Sequence, residues 1–181
     1  AYYKLILNDF VKSDTARIIG ELSRNQVGTT LEQLDSWEKE IVLLQSSCEK
    51  LINKNWCLLL EYQMLRLQRR IDAVLLADDV IIVIEFKIGA DTYGSADISQ
   101  AEDYALDLRD LHAGCHSRKI VPILFASDAE DAGANHIKLE DSVTNVLLAN
   151  RNNLHSVIER AYESVHVSDS SSMVMEEWDM A

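Results

Sequence analysis

The stretch RRIDAVLLADDVIIVIEFKIGADTYGSADISQAEDY, which runs from Arg69 to Tyr104, decides the fold of this 181-residue chain. Two short apolar runs, Ala73–Ala77 and Val80–Ile84, are separated by Asp78-Asp79, and Glu85-Phe86-Lys87 closes the second run. Short runs rich in Val and Ile and bounded by turn formers are typical of β-strands. The sequence therefore predicts an antiparallel hairpin that turns at the two aspartates.

The predicted hairpin fixes which side chains face each other. A turn centred on the two aspartates places Asp72 opposite Glu85, and opposed side chains lie about 4.5–5.5 Å apart at Cβ. Because side chains alternate along a strand, Lys87 shares the face of Glu85, while Ile84 and Phe86 point into the core. Two carboxylates this close repel each other unless a proton or a cation lies between them. The spacing therefore predicts the geometry of a metal site.

This constellation resembles the PD-(D/E)XK nuclease superfamily, whose signature is an Asp followed by Glu-x-Lys at the end of the next strand. Asp72 and Glu85-Phe86-Lys87 match the signature, and Ile71 replaces the proline of the family name, a common departure. Gln100 and Tyr104 reproduce a Gln-xxx-Tyr pattern that some branches carry on the following helix. The resemblance implies a restriction-endonuclease-like α/β core, with a central mixed β-sheet flanked by helices in the order αβββαβ.

The resemblance also implies a role for each residue of the site. Asp72 and Glu85 would bind Mg²⁺, for which Mn²⁺ can substitute, together with the backbone carbonyl of Phe86 and water molecules. Lys87 would position or activate the attacking water and offset phosphate charge. The glutamine of the helix would orient the site, and its tyrosine would contact the phosphate backbone.

Glutamates upstream of the hairpin are further candidates for the site. In several branches of the superfamily a glutamate on the helix before the sheet adds a metal ligand, which singles out Glu40 rather than Glu38. A solvated helix charge remains the more frequent explanation for either residue. Glu61 ends the first predicted strand, where it either contributes to the acidic site or pairs with Arg66 or Arg70; pairing is the favoured alternative.

The charge balance limits the functions that fit the chain. Thirty acidic residues against 17 Lys and Arg give a net charge of −13, whereas phosphate contacts need a basic footprint. Arg66, Arg69 and Arg70 form a small basic cluster and are the candidate DNA contacts, which predicts weak autonomous DNA binding. No segment approaches the roughly 20 apolar residues of a membrane helix, and the opening residues do not begin a secretory signal. The three cysteines lack zinc-site spacing, so a cytoplasmic protein with reduced thiols and no membrane contact is expected.

The remaining elements are predicted around the hairpin. The acidic, serine-rich Ser168–Ala181 is expected to be a tail without its own core, which sets a boundary between a domain at 1–167 and a tail or linker at 168–181. His112 and His116 are expected on the surface, since a helix end separates them. The predicted helices are Ser13 or Asp14 to Arg24, Thr29 or Thr30 to Lys54, Ile98 or Ser99 to Leu111, Asp141–Ala149 and Asn153–Val165, and the other strands are Trp56–Tyr62, Lys119–Ser127 and Asn135–Leu139.

The resemblance becomes more specific in four segments of the sequence: RRIDAVLL, IEFKIG, QAEDYALDLRDLH and IVPIL. They are similar to the N-terminal nuclease-like region of prokaryotic proteins that carry a C-terminal P-loop ATPase or helicase-like domain. The chain has no GxxxxGK[ST] motif, so the resemblance implies a fragment without the motor. The predicted function is a metal-dependent deoxyribonuclease domain of a larger DNA-processing or defence protein. The alternative is a non-cutting nucleic-acid-binding or scaffolding module on the same fold; a homo-oligomer is compatible with either.

Overall fold

One mixed eight-stranded β-sheet, with helices against both faces, organises the computed structural model, which describes residues 3–168, 170–173 and 175–178. The strand order is β1-β2-β3-β4-β5-β7-β6, and β8 also pairs with β5. The strands are β1 (Tyr3–Ile6), β2 (Cys57–Met64), β3 (Arg69–Ala77), β4 (Val80–Lys87), β5 (Lys119–Ala126), β6 (Leu139–Glu140), β7 (Val143–Thr144) and β8 (Leu147–Ala149). The helices are α1 (Leu7–Phe10), α2 (Thr15–Arg24), α3 (Leu31–Glu49), α4 (Ser95–Leu111) and α5 (Leu154–Val165).

The predicted hairpin is confirmed as β3 and β4. Ala77 pairs with Val80 and Ala73 with Ile84, in the register that a turn at the two aspartates requires. Strands β1 to β4 are antiparallel, whereas β4 and β5 are parallel, with α4 as the crossover between them. Parallel neighbours need such a crossover. The fold is therefore α/β, and α3, β2, β3, β4, α4 and β5 follow one another in the predicted order.

Helices α2 and α3 begin where their capping residues predict, whereas α4 begins at Ser95 rather than at the predicted Ile98 or Ser99. The Asp14 side chain accepts a hydrogen bond from the Ala16 N–H at the start of α2, and Thr30 does the same for Gln33 in α3. Such caps satisfy N–H groups that have no partner within the helix. α3 ends at Glu49 rather than at the predicted Lys54. No helix in the described part of the chain is long and apolar enough to cross a membrane.

The two faces of the sheet are covered by different elements. α2, α3 and α5 pack on one face, which we call the α3 face, and α4 packs on the other, the α4 face. Strands β3 and β4 are buried on both sides, which explains why their sequence is almost continuously apolar. Representative buried residues are Trp37, Ile41, Ile82 and Ile158 on the α3 face, and Val74, Ile81, Tyr104 and Leu108 on the α4 face.

The segment after α5, predicted to be a tail without its own core, packs on the α4 face. The Met173 N–H donates to the Asp78 carbonyl at 2.9 Å. Trp178 is fully buried, with its ring 5.5 Å from that of Tyr62 and stacked on His112 at 4.1 Å. These residues complete the core beside α4, so packing does not stop at the predicted boundary. Residues 169, 174 and 179–181 of the predicted tail, and 1–2 of the predicted domain, lie outside the described residues.

The predicted helix Asp141–Ala149 is wrong. Asp141 and Ser142 have φ angles of 49° and 69°, and two such residues in succession form the tight turn that joins β6 to β7. β7 and β8 then pair with the edge of β5. The predicted strand Asn135–Leu139 is also displaced, because β6 begins only at Leu139. Pairing with β5, which is distant in the sequence, determines the conformation of this segment. The local pattern of apolar and polar residues carries no information about that pairing.

The expectation that His112 lies on the surface is also wrong. The chain turns inward after α4, and His112 is only 4% exposed. Its Nδ1 accepts a hydrogen bond from the Gly114 N–H at 3.0 Å. Burial lowers the pKa of His112, so a neutral ring stacks on Trp178. His116 is exposed, as predicted.

Replacing Trp178 with alanine should destabilise the protein by about 3–5 kcal/mol, because it removes a fully buried aromatic side chain from the α4 face. Guanidinium unfolding followed by circular dichroism measures the change. Glu177→Ala is the matched control: Glu177 is the exposed neighbour, and its loss should change stability by no more than about 0.5 kcal/mol. Equal stabilities for the two variants would show that the segment does not contribute to the core.

Candidate functional site

The alternation of side chains between the two faces of the sheet is interrupted at two acidic residues, Glu61 of β2 and Asp72 of β3. In a regular strand, residues two apart lie on the same face, but the residues flanking each acid pack on opposite faces. These flanking pairs are Leu60 with Tyr62, and Ile71 with Ala73. Glu61 has a φ of 50°, and the β2–β3 ladder pairs the residues on both sides of the two acids but not the acids themselves. The irregularity therefore places both acids outside the regular β2–β3 pairing.

Asp72 lies where β3 and β4 separate, one residue beyond their last pair. Its side chain replaces the missing backbone contact, because Oδ2 accepts a hydrogen bond from the Phe86 N–H at 2.9 Å. This contact brings Asp72 beside Glu85, as the hairpin register predicts. Burial, followed by the charge of Asp72, raises the pKa of Glu85 to about 8, and burial raises the pKa of Asp72. We call this opening between β3 and β4 the fork.

Lys87 points to the same side of the fork and is held from two directions. Its Nζ lies 3.4 Å from Oε1 of Glu85 and donates to Oε1 of Gln100 at 3.2 Å. Gln100 in turn donates from Nε2 to the Tyr104 hydroxyl at 2.9 Å. Burial lowers the pKa of Lys87, but the charges of Glu85 and Asp97 outweigh it and raise the pKa overall, so the ammonium stays charged. The five predicted catalytic residues therefore form one connected group.

Glu40 reaches the fork from the α3 face. Burial, followed by the charges of Asp72 and Glu61, raises the pKa of Glu40 to about 9, and Ser36 donates a hydrogen bond to it at 3.1 Å. A small cavity of about 10 Å³ lies between α3 and the sheet, and its charged lining consists of Glu40, Glu61 and Asp72. Glu38 is exposed and does not line the cavity. Of the two helix glutamates, Glu40 is therefore the one placed near the fork.

Glu61 is both paired and part of the acidic group. One of its oxygens forms an ion pair with Arg70, and the other accepts a hydrogen bond from the Trp37 indole at 2.9 Å. Arg70 also donates to Gln26 at 2.7 Å. Burial, followed by the charge of Asp72, raises the pKa of Glu61 to about 7 despite the arginine. The favoured alternative, pairing, is thus observed with Arg70, while Glu61 remains close to the fork.

The candidate DNA contacts differ in how much charge they expose. Arg69 forms an ion pair with Asp107 at 2.9 Å, and Arg70 is held by Glu61. Arg66 is exposed and has no ion-pair partner within residues 3–168, 170–173 and 175–178. Of the predicted basic cluster, only Arg66 therefore offers an uncompensated charge.

The donor set at the fork fits magnesium. Oε2 of Glu85 is buried and has no hydrogen-bond partner among the described residues. The Phe86 N–H points at Asp72, and because the N–H and C=O of one strand residue point the same way, its carbonyl also faces the fork. No three His, Cys, Asp or Glu side chains in the described ranges are placed to share a metal ion. Mg²⁺ is commonly bound by one or two carboxylates and water molecules, whereas structural zinc needs four protein ligands.

Sequence reasoning missed Asp97, Trp37 and Gln26 as neighbours of the site. Asp97 approaches Lys87 from the first turn of α4, with Oδ1 at 3.6 Å from Nζ. Its spacing of three from Gln100 predicts a shared helix face. That signal was hidden because the helix was expected to begin at Ile98 or Ser99, after the aspartate. The indole and amide contacts to Glu61 and Arg70 depend on tertiary packing and leave no local pattern.

Comparison with known proteins assigns no family to the chain. No protein-family model matches it, and a search of curated proteins finds no match. A function must therefore be argued from the residues of the fork and their contacts.

The free energy of unfolding of the metal-free protein should fall as the pH rises from about 5 to about 9. The pKa values of Glu85 and Glu40 are raised to about 8 and about 9, so both side chains keep their protons in the folded state. Glutamates of the unfolded chain ionise at about pH 4.3. The unfolded state then binds fewer protons, so stability decreases by up to about 1.4 kcal/mol per pH unit for each such proton. Urea unfolding in EDTA across this range measures the slope.

The variant Asp72→Asn should show a shallower slope, because it removes a charge that raises the pKa of both glutamates. Asp103→Asn is the matched control, since Asp103 is an exposed aspartate of α4 and its loss should leave the slope unchanged. Parallel pH profiles for the wild type and Asp72→Asn would contradict the proximity of the three carboxylates.

Proposed function

We propose that this chain is a Mg²⁺-dependent nuclease domain of the PD-(D/E)XK type, with a restriction-endonuclease-like core, that hydrolyses phosphodiester bonds of DNA. The observation that carries the proposal is the carboxylate pair at the fork, Asp72 and Glu85, with the Lys87 ammonium 3.4 Å from the second acid. Paired carboxylates with raised pKa values beside a cation are typical of functional sites. A metal ion would supply a partner for the buried Oε2 of Glu85.

The residues that would hold the metal are Asp72, Glu85 and the carbonyl of Phe86. Glu40, the further candidate from the sequence, is not placed to share one ion with both carboxylates. When bound, Mg²⁺ lowers the pKa of a coordinated water and offsets charge on the scissile phosphate. The Phe86 N–H orients Asp72 by occupying one of its oxygens. The second oxygen of Asp72 and the unpartnered oxygen of Glu85 remain available to coordinate the metal ion.

The remaining side chains orient and stabilise the reacting groups. Lys87, which stays protonated, can donate a hydrogen bond to the attacking water or to a phosphate oxygen. Gln100 fixes the direction of Lys87 by accepting from its Nζ. The Tyr104 hydroxyl accepts from Gln100, so its own hydrogen remains available to a phosphate oxygen. The chain Lys87–Gln100–Tyr104 thus presents two hydrogen-bond donors on one side of the carboxylate pair.

The surface charge bears on the partners of the domain. Because Arg69 and Arg70 are neutralised internally, few cations are left for phosphate contacts, and the isolated chain should bind DNA weakly. This supports a domain of a larger DNA-processing or defence protein, in which an ATPase or helicase-like part supplies most of the DNA affinity. The three cysteines of the chain are free thiols, in keeping with the proposed cytoplasmic location.

The acidic surface favours one alternative, a non-cutting scaffolding or nucleic-acid-binding module on the same fold. A net charge of −13 suits a module that is delivered to DNA by another domain. Such a module does not need a lysine held between carboxylates and an amide. The effect of removing Lys87 therefore separates the two functions.

Millimolar Mg²⁺ or Mn²⁺ should raise the melting temperature of the wild type, because a ligand that binds only the folded state adds about 2.7 kcal/mol of stability at a hundredfold excess over its Kd. Asp72→Asn should abolish the rise, while its metal-free form is as stable as the wild type or more so. Differential scanning fluorimetry measures both effects. Asp103→Asn should respond like the wild type; a wild-type melting curve indifferent to Mn²⁺ would count against the metal site.

Lys87→Ala should reduce cleavage of plasmid and single-stranded DNA by at least about a hundredfold in Mg²⁺ or Mn²⁺. The metal-induced rise in melting temperature should persist, because Lys87 serves the water and the phosphate rather than the cation. Lys12→Ala is the control, since Lys12 is an exposed lysine between α1 and α2. Equal nicking by the wild type and Lys87→Ala would assign the cutting to another site, and no cleavage by the wild type would favour the non-cutting module.

A further inference from the structure

Lys87 has a third contact, an ion pair, that the proposed mechanism does not use. Besides Glu85 and Gln100, Oδ1 of Asp97 lies 3.6 Å from its Nζ. The side chains of Lys87 and Asp97 are 31% and 34% exposed, so water and dissolved anions can reach the pair. Glu85, by contrast, is only 6% exposed. Lys87 therefore bridges a buried carboxylate and an accessible one.

The start of α4 holds Asp97 in place. Gly94 precedes the helix and provides no side-chain cap, and a Cβ at this position would lie 3.1 Å from Oδ2 of Asp97. The glycine thus leaves room for the carboxylate to lean back over the first turn. Negative charge is favoured at a helix N-terminus, where N–H groups lack partners. One oxygen of Asp97 lies over the helix start, and the other faces the lysine.

The two contacts of Lys87 with acids differ in how easily they are exchanged. Ion pairs between partly exposed side chains are weak, because water competes for both charges. A phosphate group offers several acceptor oxygens to an ammonium group. An anion that approaches from solvent meets Asp97 before it meets the buried Glu85. The Asp97 contact is therefore the one that an incoming phosphate can replace.

We propose that Asp97 is the resting counter-ion of Lys87, which a phosphate group displaces on binding and which recaptures the lysine when the phosphate leaves. Asp97 is then a positioning residue that sets the anion affinity of the site and favours release of the product. The identification of the displacing group as a DNA phosphate depends on the proposed function; the exchange itself does not.

Inorganic phosphate is the probe for this exchange, with binding followed in the metal-free protein by the NMR signal of the Lys87 side chain. Asp97→Asn should bind phosphate about two- to fivefold more tightly than the wild type, because it frees the lysine from a weak ion pair. Asp97→Glu, which keeps the charge, should restore the wild-type affinity. The gain should disappear when Lys87→Ala is combined with Asp97→Asn.

Asp103→Asn is the matched control, because it removes the same charge from an exposed position on the same helix. Its phosphate affinity should stay near that of the wild type. Equal gains in Asp97→Asn and Asp103→Asn would overturn the proposal, since net charge alone would then explain them. Weaker phosphate binding by Asp97→Asn, or a Lys87 signal that phosphate does not move in any variant, would overturn it as well. Circular dichroism confirms that each variant is folded.

DNA cleavage in Mg²⁺ and Mn²⁺, measured on the same variants, separates this proposal from the nuclease function. If the wild type cuts DNA while the two aspartate variants bind phosphate equally, the nuclease stands and the role of Asp97 falls. If Asp97→Asn alone gains phosphate affinity but no DNA is cut, the counter-ion exchange stands and the nuclease falls.

Discussion

The hydrogen bond from the Phe86 N–H to the Asp72 carboxylate is the contact on which the site depends. The pairing of β3 with β4 stops at Ala73 and does not include Asp72. A backbone N–H left without a partner in such a buried place is costly. The carboxylate supplies the partner at 2.9 Å. It is thereby fixed beside Glu85, and the strand alternation carries Lys87 to the same side. This one side-chain contact therefore brings the carboxylates of the candidate site together where the pairing of β3 with β4 ends.

The fork is electrostatically unfavourable without a cation. Glu40, Glu61 and Glu85 all have raised pKa values, and Asp72 contributes to each of them. Arg70 and the Trp37 indole form direct contacts with Glu61. The apolar layers on both faces of the sheet supply the stability that tolerates such a group. Local strain kept in place by a well-packed surrounding structure is common at functional sites.

Local rules predict the hairpin and the pairs Glu85–Lys87 and Gln100–Tyr104, because each depends only on a strand or helix period. The change of sheet face at Glu61 could not be predicted from the sequence. It depends on a positive φ at a glutamate, a residue type that does not indicate a turn. The burial of Trp178 and the extended conformation of Leu147–Ala149 were also hidden, because both depend on surfaces formed by distant strands. Sequence therefore identified the carboxylates and the lysine of the fork, while the arrangement of their neighbours needed the tertiary structure.

The charges around the fork bear on the order in which ligands bind. Arg70 is engaged by Glu61, and Lys87 is held by Glu85 and Asp97, so no basic side chain near the carboxylates is left uncompensated within the described residues. A phosphate that approaches the metal-free fork has to compete with Glu85 and Asp97 for the Lys87 ammonium. A divalent cation held by Asp72 and Glu85 would add positive charge there and would compete with Lys87 for Glu85. If the site acts as a nuclease, a cation that binds first would therefore assist the binding of a DNA phosphate.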